Sequence, residues 1–262
     1  MNDRASVHSS SRLAGARSLF SRAWLRALGN EGRGPTLVAL PPLPPDDFLT
    51  WVRFAVPGML AEPNVAAMDH ALAHMPAGSP VLEVGSFCGL STVVLAHLLE
   101  KRSPESPLFT CDTWAFEGQQ LGSPLGGSRS LTHDGYRAYV RDSFLRAART
   151  FAGERLPFTI ECDSDELFRR WSAGETTVDV FGRDVTLGGE LGFCYIDGNH
   201  TYEFARRDFE NTDRALAPGG LVLFDDSADG SEWEVNRLVR EIAGTNGYEL
   251  VSKNPNYMFR KS

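Results

Sequence analysis

Several absences narrow the reading of this chain before any motif is considered. Its four cysteines, Cys88, Cys111, Cys162 and Cys194, form no Cys-x-x-Cys pair, so neither a zinc ribbon nor a dithiol redox centre is expected. Three of them sit in or beside apolar runs (FTCDTW, TIECDS, FCYIDG), the setting of buried thiols in a reducing compartment. No stretch approaches 18 uninterrupted apolar residues, so no membrane span is expected. Positive charge is in deficit, with 26 Lys and Arg against 34 Asp and Glu, which argues against nucleic acid as a partner because phosphate binding needs a positive surface. There is no internal repeat. The phosphate-cradling patterns G-x-G-x-x-G and G-x-x-x-x-G-K-[ST] are both missing.

What is present is an ordinary globular composition, 42% apolar and 23% charged over 262 residues. That length allows one or two domains and a core large enough to need no disulfides. Charge divides it unevenly. Residues 1–34 carry six arginines against Asp3 and Glu31. Phe20, Trp24 and Leu28 recur there every four residues, as on an amphipathic basic helix. Arginines interrupt every apolar stretch of this arm, unlike a secretory signal, although a eukaryotic presequence has this composition. The arm reads as a packing or subunit-contact segment, and a homo-oligomer is expected. Pro41-Pro42-Leu43-Pro44-Pro45 then forms a stiff spacer. The division is an arm and spacer over 1–45 and one domain over 46–262, and the free thiols place the chain in the cytoplasm.

From residue 46 strand and helix patterns alternate. Asp46 or Asp47 caps a helix through Ala55, and Asn64 caps a second through His74. Strand-like runs stand at 80–83, 108–111, 158–161, 193–196 and 221–224, with helical patterns at about 134–152, 203–216 and 232–243. Such alternation predicts a Rossmann-like α/β fold, a doubly wound parallel sheet covered on both faces. Tyr248–Val251 and Tyr257–Phe259 predict a C-terminal antiparallel hairpin, completing seven strands. A small β-hairpin over 177–187, turning at Gly182-Arg183 as a type II′ turn, is inserted before the fourth parallel strand.

Ligands of open α/β sheets bind at the carboxyl ends of the strands. Those ends carry Glu83, Asp112, Asp163, Asp197, and the pair Asp225 and Asp226. Acids after five successive strands repel one another in one cleft and call for a cationic partner, such as a sulfonium cofactor with a divalent metal. After the first strand, Gly85 to Thr92 reads as a turn before a helix over 93–100. Gly85 and Gly89 let backbone approach a ligand, and Ser91 and Thr92 sit near the helix N-terminus, which can hold a carboxylate. Asp112 follows Gly89 by 23 residues, where an acid binds a ribose diol in nucleotide folds. An adenosine-containing ligand is therefore expected.

The segments E-V-G-S-F-C-G-L-S-T, C-D-T-W, Y-I-D-G-N-H-T-Y-E and A-P-G-G-L-V-L-F-D-D resemble those of class I S-adenosylmethionine-dependent methyltransferases. Within them, the chain is similar to metal-dependent sugar O-methyltransferases of the macrocin type, from about Pro57 to Phe259. The resemblance implies that Glu83, Gly85, Ser86 and Gly89 line the methionine part of the cofactor, with Ser91 near its carboxylate. Asp112 would accept from the ribose, and Asp163 and Ser164 would lie near adenine. Asp197, Asp225 and Asp226 would bind Mg²⁺ or a similar divalent cation, and His200 would be the general base, with Asp197 beside it in the catalytic centre.

The implied activity is methyl transfer to a hydroxyl of a small glycosylated or polyhydroxylated substrate. Three carboxylates without cysteine make a hard oxygen site. A metal chelating neighbouring substrate oxygens lowers a hydroxyl pKa, and imidazole can then take the proton. Two alternatives are a nicotinamide-dependent oxidoreductase on the same sheet and a non-catalytic cofactor-binding protein. The former is disfavoured by the G-x-x-x-G spacing. Asn254-Pro255-Asn256-Tyr257 resembles the N-P-P-Y of amino-methyltransferases but lies between the last two strands, where a turn explains it. Tyr257 and Lys261 have the spacing of a dehydrogenase pair but fall on a strand, which separates them from any helical face. Tyr202, Phe204, Phe209 and Trp233 read as packing residues, and Arg206-Arg207-Asp208 as a solvated helix face.

Overall fold

A computed structural model describes residues 39–115, 122–128 and 130–262. The basic arm therefore lies outside the described residues. Two helices come first, α1 (Asp47–Ala55) and α2 (Glu62–His74). Asp46 caps α1 as expected, its carboxylate accepting from the Leu49 N–H at 3.1 Å. Asn64 does not cap α2. The helix already starts at Glu62 after Ala61, with Pro63 in its first turn supplying a fixed φ and no N–H, which leaves the Asn64 amide free to act elsewhere.

The remaining order is β1 (Val81–Val84), α3 (Leu90–Arg102), β2 (Leu108–Cys111), α4 (His133–Ala147), β3 (Phe158–Ile160), α5 (Ser164–Ala173), β4 (Thr176–Val178), β5 (Asp184–Thr186), β6 (Leu191–Ile196), α6 (Tyr202–Ala215), β7 (Leu216–Phe224), α7 (Val235–Ala243), β8 (Tyr248–Lys253) and β9 (Tyr257–Lys261). Seven strands form one sheet in the order β3-β2-β1-β6-β7-β9-β8. The first five are parallel, and β9 joins β7 antiparallel, matching the expected Rossmann-like sheet and terminal hairpin.

Alternation along the strands divides the core. Val81, Phe193, Tyr195, Leu221 and Leu223 face α1, α2 and α3, whereas Leu82, Val84, Cys194, Ile196, Val222 and Phe224 face α5, α6 and α7. Both faces of the parallel strands are thus covered, and β1, β2 and β6 are buried at every position. The four thiols are free, and all but Cys162 are fully buried.

Helix α5 has no counterpart among the expected helices. Its signal is a D-x-x-E start, with Asp163 accepting from the Glu166 N–H at 2.8 Å. The inserted hairpin is present, but its turn is corrected. It closes over Asp179–Gly182 through a Gly182 N–H to Asp179 carbonyl bond of 3.0 Å, with Gly182 at φ 82°. The Asp179 carboxylate accepts from the Phe181 and Arg183 N–H groups, which selects this longer turn over a two-residue one. Trp171 of α5 then ties the layers together. Its ring meets Phe109 edge-on at 4.9 Å and its Nε1 donates to the Gly189 carbonyl at 2.9 Å. Trp171→Ala should cost ~3–5 kcal/mol in denaturant unfolding, and a loss below 1 kcal/mol would remove it from this role.

Candidate functional site

The site grows from the turn after β1. Gly85 has φ 85°, and a Cβ there would lie 2.1 Å from the Asp197 carbonyl oxygen, so only glycine lets the ends of β1 and β6 meet. Phe87 and Gly89 also have positive φ, 45° and 94°. Together they fold residues 85–89 into a tight loop that delivers the N-terminus of α3 to the sheet edge. Among the described residues no side chain caps that helix start, so its first N–H groups remain available to an anion.

Each expected acid stands at or just beyond its strand end, and most are held by donors of their own. Glu83 is 0% exposed. Thr92 Oγ1 donates to its Oε2, while Oε1 is buried without a hydrogen-bond partner among the described residues. Burial raises Glu83 to about 7. Asp112 accepts the N–H groups of Ser86 and Phe87 at 2.9 Å each and that of Trp114 at 2.6 Å. It therefore pins the glycine loop, and burial still raises its pKa above the ordinary carboxylate value. Ser86 is buried in that loop and Ser91 in the first turn of α3. Asp163 is the α5 cap. Ser164 Oγ donates to Asp208 of α6, a buried acid raised to about 6 by desolvation, which corrects the reading of Arg206-Arg207-Asp208 as a solvated helix face. Its place mid-helix at an otherwise apolar position was the available signal.

Asp197, Asp225 and Asp226 gather on the other side. Tyr195 Oη lies 2.8 Å from Asp225 Oδ2 and 3.3 Å from Asp197 Oδ2. Asp197 is raised well above its ordinary value, first by burial and then by the charges of Asp225, Asp226 and Glu83. The bend after β7 occurs at Asp226, whose φ of 51° is unusual for a side-chain-bearing residue. This bend separates two adjacent carboxylates. Asp225 turns inward to Tyr195, and Asp226 turns to His200, with Oδ2 at 3.4 Å from Nδ1. Burial raises Asp226 to about 7, aided by repulsion from Asp225. His200 shifts downward, again mainly by burial, which favours a neutral ring at pH 7.

Two further findings revise the packing assignments. Trp233 is 47% exposed, and its ring centroid lies 5.0 Å from that of His200. A surface cleft of about 540 Å³ adjoins it, lined by Glu234, Asn236, Arg237, Arg240 and Glu241. Asn64 and Asn256 also reach Asp225 from distant segments. Tyr257 and Lys261 both stand on β9 and serve structural contacts, Tyr257 to Asp229 and Lys261 to the Asp213 and Leu216 carbonyls.

Residues 82–227 match the family model described as a methyltransferase domain. Among solved structures, the fold is similar to CalS11, a calicheamicin methyltransferase, with TM-score 0.52 and 16% identity over 99% of both chains. It is similar to the O-methyltransferase TomG from Streptomyces achromogenes in complex with SAM, with TM-score 0.50 and 14% identity over 83% of this chain and 90% of that one. It is also similar to the SAH-bound methyltransferase PaMTH1 of Podospora anserina, with TM-score 0.50 and 12% identity over 98% and 100% of the two chains. Among the described residues no helix is long and apolar enough to cross a membrane.

Glu83 yields a pH prediction. Its pKa rises on folding from an ordinary 4.5 to about 7, so the folded chain binds this proton more tightly than the unfolded one. The resulting stability is complete below about pH 4.5 and is lost as pH rises through about 7. Asp208 and Asp226 act with the same sign. Glu83→Gln, which cannot ionise, should therefore show a smaller fall in melting midpoint between about pH 5 and 8. A fall equal to that of the wild type would contradict the assignment.

Proposed function

The chain belongs to the methyltransferase domain family, and from that premise we propose that it transfers the methyl group of S-adenosylmethionine to a hydroxyl of a small polyhydroxylated acceptor, a sugar above all. The observation that carries this reading is the gathering of Asp197, Asp225, Asp226 and His200 one strand away from a glycine loop open at the start of α3. A nicotinamide enzyme is not carried further, because the family match and the G-x-x-x-G loop both speak for the methyl donor.

The residues suit the cofactor in four respects. Gly85, Ser86 and Gly89 supply a side-chain-poor surface for the methionine part, and Ser91 stands among the N–H groups that would take its carboxylate. The unpartnered Glu83 Oε1 is an acceptor matched to an ammonium. Asp112 retains lone-pair capacity on Oδ1, which accepts one N–H bond from Trp114, and would use it for the ribose. Asp163 and Ser164 would flank the adenine.

In the chemical step, the acceptor oxygen forms a bond to the methyl carbon as the carbon–sulfur bond breaks. The electron pair passes to sulfur, and the hydroxyl proton passes to His200. A ring kept neutral by burial can accept that proton, and Asp226 beside Nδ1 stabilises the imidazolium formed. Trp233 offers a half-exposed ring face beside His200, suited to the apolar face of a pyranose. CalS11 is described as a TDP-rhamnose 3′-O-methyltransferase, and an acceptor of that chemical class fits the present site.

A divalent cation is part of the proposal. The oxygen-only donor set suits a hard ion such as Mg²⁺, and the mutual repulsion that raises Asp197 is what such an ion relieves. Among the described residues no group of three or more His, Cys, Asp or Glu side chains is placed to hold a metal ion, so the cation rests on the chemistry of the carboxylates alone. Asp197 and Asp226 would hold it, with Asp225 contributing through Oδ2 alone. When bound, it would chelate acceptor oxygens and acidify the hydroxyl.

Two outcomes test this. His200→Ala should lower turnover ~10²–10⁴-fold while SAH affinity, read by calorimetry, stays unchanged; an unaltered rate removes His200 from the mechanism. Exhaustive chelation should abolish transfer, with Mg²⁺ restoring it, and undiminished turnover in the chelator sinks the cation.

A further inference from the structure

The Asn-Pro-Asn-Tyr segment between β8 and β9 is a turn, yet Asn256 within it is buried at the acid cluster. Its Nδ2 donates to Asp225 Oδ1 at 2.5 Å and to Asn64 Oδ1 at 3.2 Å. Its own Oδ1 accepts the Ser227 N–H at 3.0 Å, which leaves the amide a single satisfied orientation. Asn64, 1% exposed on α2, donates its Nδ2 to the same Asp225 Oδ1 at 2.9 Å. The Asp226 N–H adds a third donor there at 2.9 Å. Oδ1 is thus saturated and turned into the protein, while Oδ2 faces Tyr195 and, through it, Asp197.

We propose that Asn64 and Asn256 are positioning residues that clamp the Asp225 carboxylate, fixing which of its oxygens faces the acceptor end of the site and its alignment with Asp197. A buried carboxylate oxygen without donors swings toward other partners. Two amides on separate segments remove that escape, because each supplies an N–H to the same oxygen. A purely structural tie between α2, β7 and the terminal hairpin would not need a charged group at its centre, and apolar packing would hold those segments as well. The clamp also separates the two halves of the site in function. The side-chain hydrogen bonds of both asparagines among the described residues go to Asp225, Ser227 and each other and not to the glycine loop, so loss of either should leave the cofactor end intact.

The functional consequence rests on the proposed methyl transfer; the orientation of Asp225 does not. The test uses the full chain with Asn64→Ala, Asn256→Ala and the double variant. Crystal structures of the variants should show the Asp225 side chain rotated out of its Tyr195 contact. SAH affinity should stay within about twofold of wild type. Mn²⁺ affinity of the SAH complex, followed by electron paramagnetic resonance, and turnover should each fall ~10–100-fold, as for other groups that orient ligands from behind. An Asp225 that keeps its place in both single variants overturns the clamp, and so does a turnover loss matched by an equal loss of SAH affinity. If the wild-type chain neither binds Mn²⁺ nor transfers methyl, the proposed reaction fails while the Asp225 rotamer still decides the clamp. If the double variant does not fold, Asn64→Ala, which leaves two donors on Oδ1, decides it.

Discussion

Electrostatic repulsion among acids at one edge of a parallel sheet is the constraint that organises this protein. The strand ends bring Glu83, Asp112, Asp197, Asp225 and Asp226 into one poorly solvated rim, where like charges cannot all persist without compensation. The structure compensates group by group. Backbone N–H groups of the glycine loop meet Asp112, a threonine hydroxyl meets Glu83, and a tyrosine with two asparagine amides meets Asp225. Asp197 and Asp226 are left with the least help and the largest upward pressure on their pKa values. The residual demand for positive charge is thereby concentrated on the side of the rim that carries His200.

This uneven compensation divides the edge into two working halves. On the β1–β2 side, short loops and a close backbone approach at Gly85 make a rigid cradle. On the β6–β7 side, the strained turn at Asp226 and the half-exposed Trp233 make a more open wall. Strain stored at a residue with positive φ is common where geometry serves chemistry rather than stability. The junction of the halves is the Gly85–Asp197 backbone contact, so the loop that would take the cofactor and the first of the acceptor-side acids are placed by one close packing event.

Much of this was legible in the sequence because the local signals were strong. Short continuous apolar runs ended in acids, Gly85 and Gly89 bracketed a strand-to-helix turn, and Asp46 preceded an apolar helical stretch, so the sheet, the terminal hairpin and the line of acids could be read directly. Other features depend on contacts that no local pattern encodes. Asn64 looks like a helix cap, but the helix starts two residues earlier with Pro63 in its first turn, and the Asn64 amide reaches Asp225, 161 residues away. Asn256 lies in a turn whose purpose is visible only once β9 is laid beside β7. Trp233 reads as core by residue type but is left half-exposed by the path between β7 and α7. The Asp179 side chain overrode the turn expected at Gly182-Arg183. Substrate contacts depend on such loops, whereas the cofactor edge is fixed by the strands themselves.

The central claim is that the cradle at the start of α3 accepts an S-adenosyl compound. Thermal unfolding with S-adenosylhomocysteine, with NAD(P)H and with neither tests it most directly. At ~100 times its dissociation constant a bound ligand adds ~2.7 kcal/mol, or about 5–10 °C in midpoint for a domain of this size. The account predicts that rise with S-adenosylhomocysteine and none with the nicotinamide. A rise with the nicotinamide alone, or with neither compound, would contradict it.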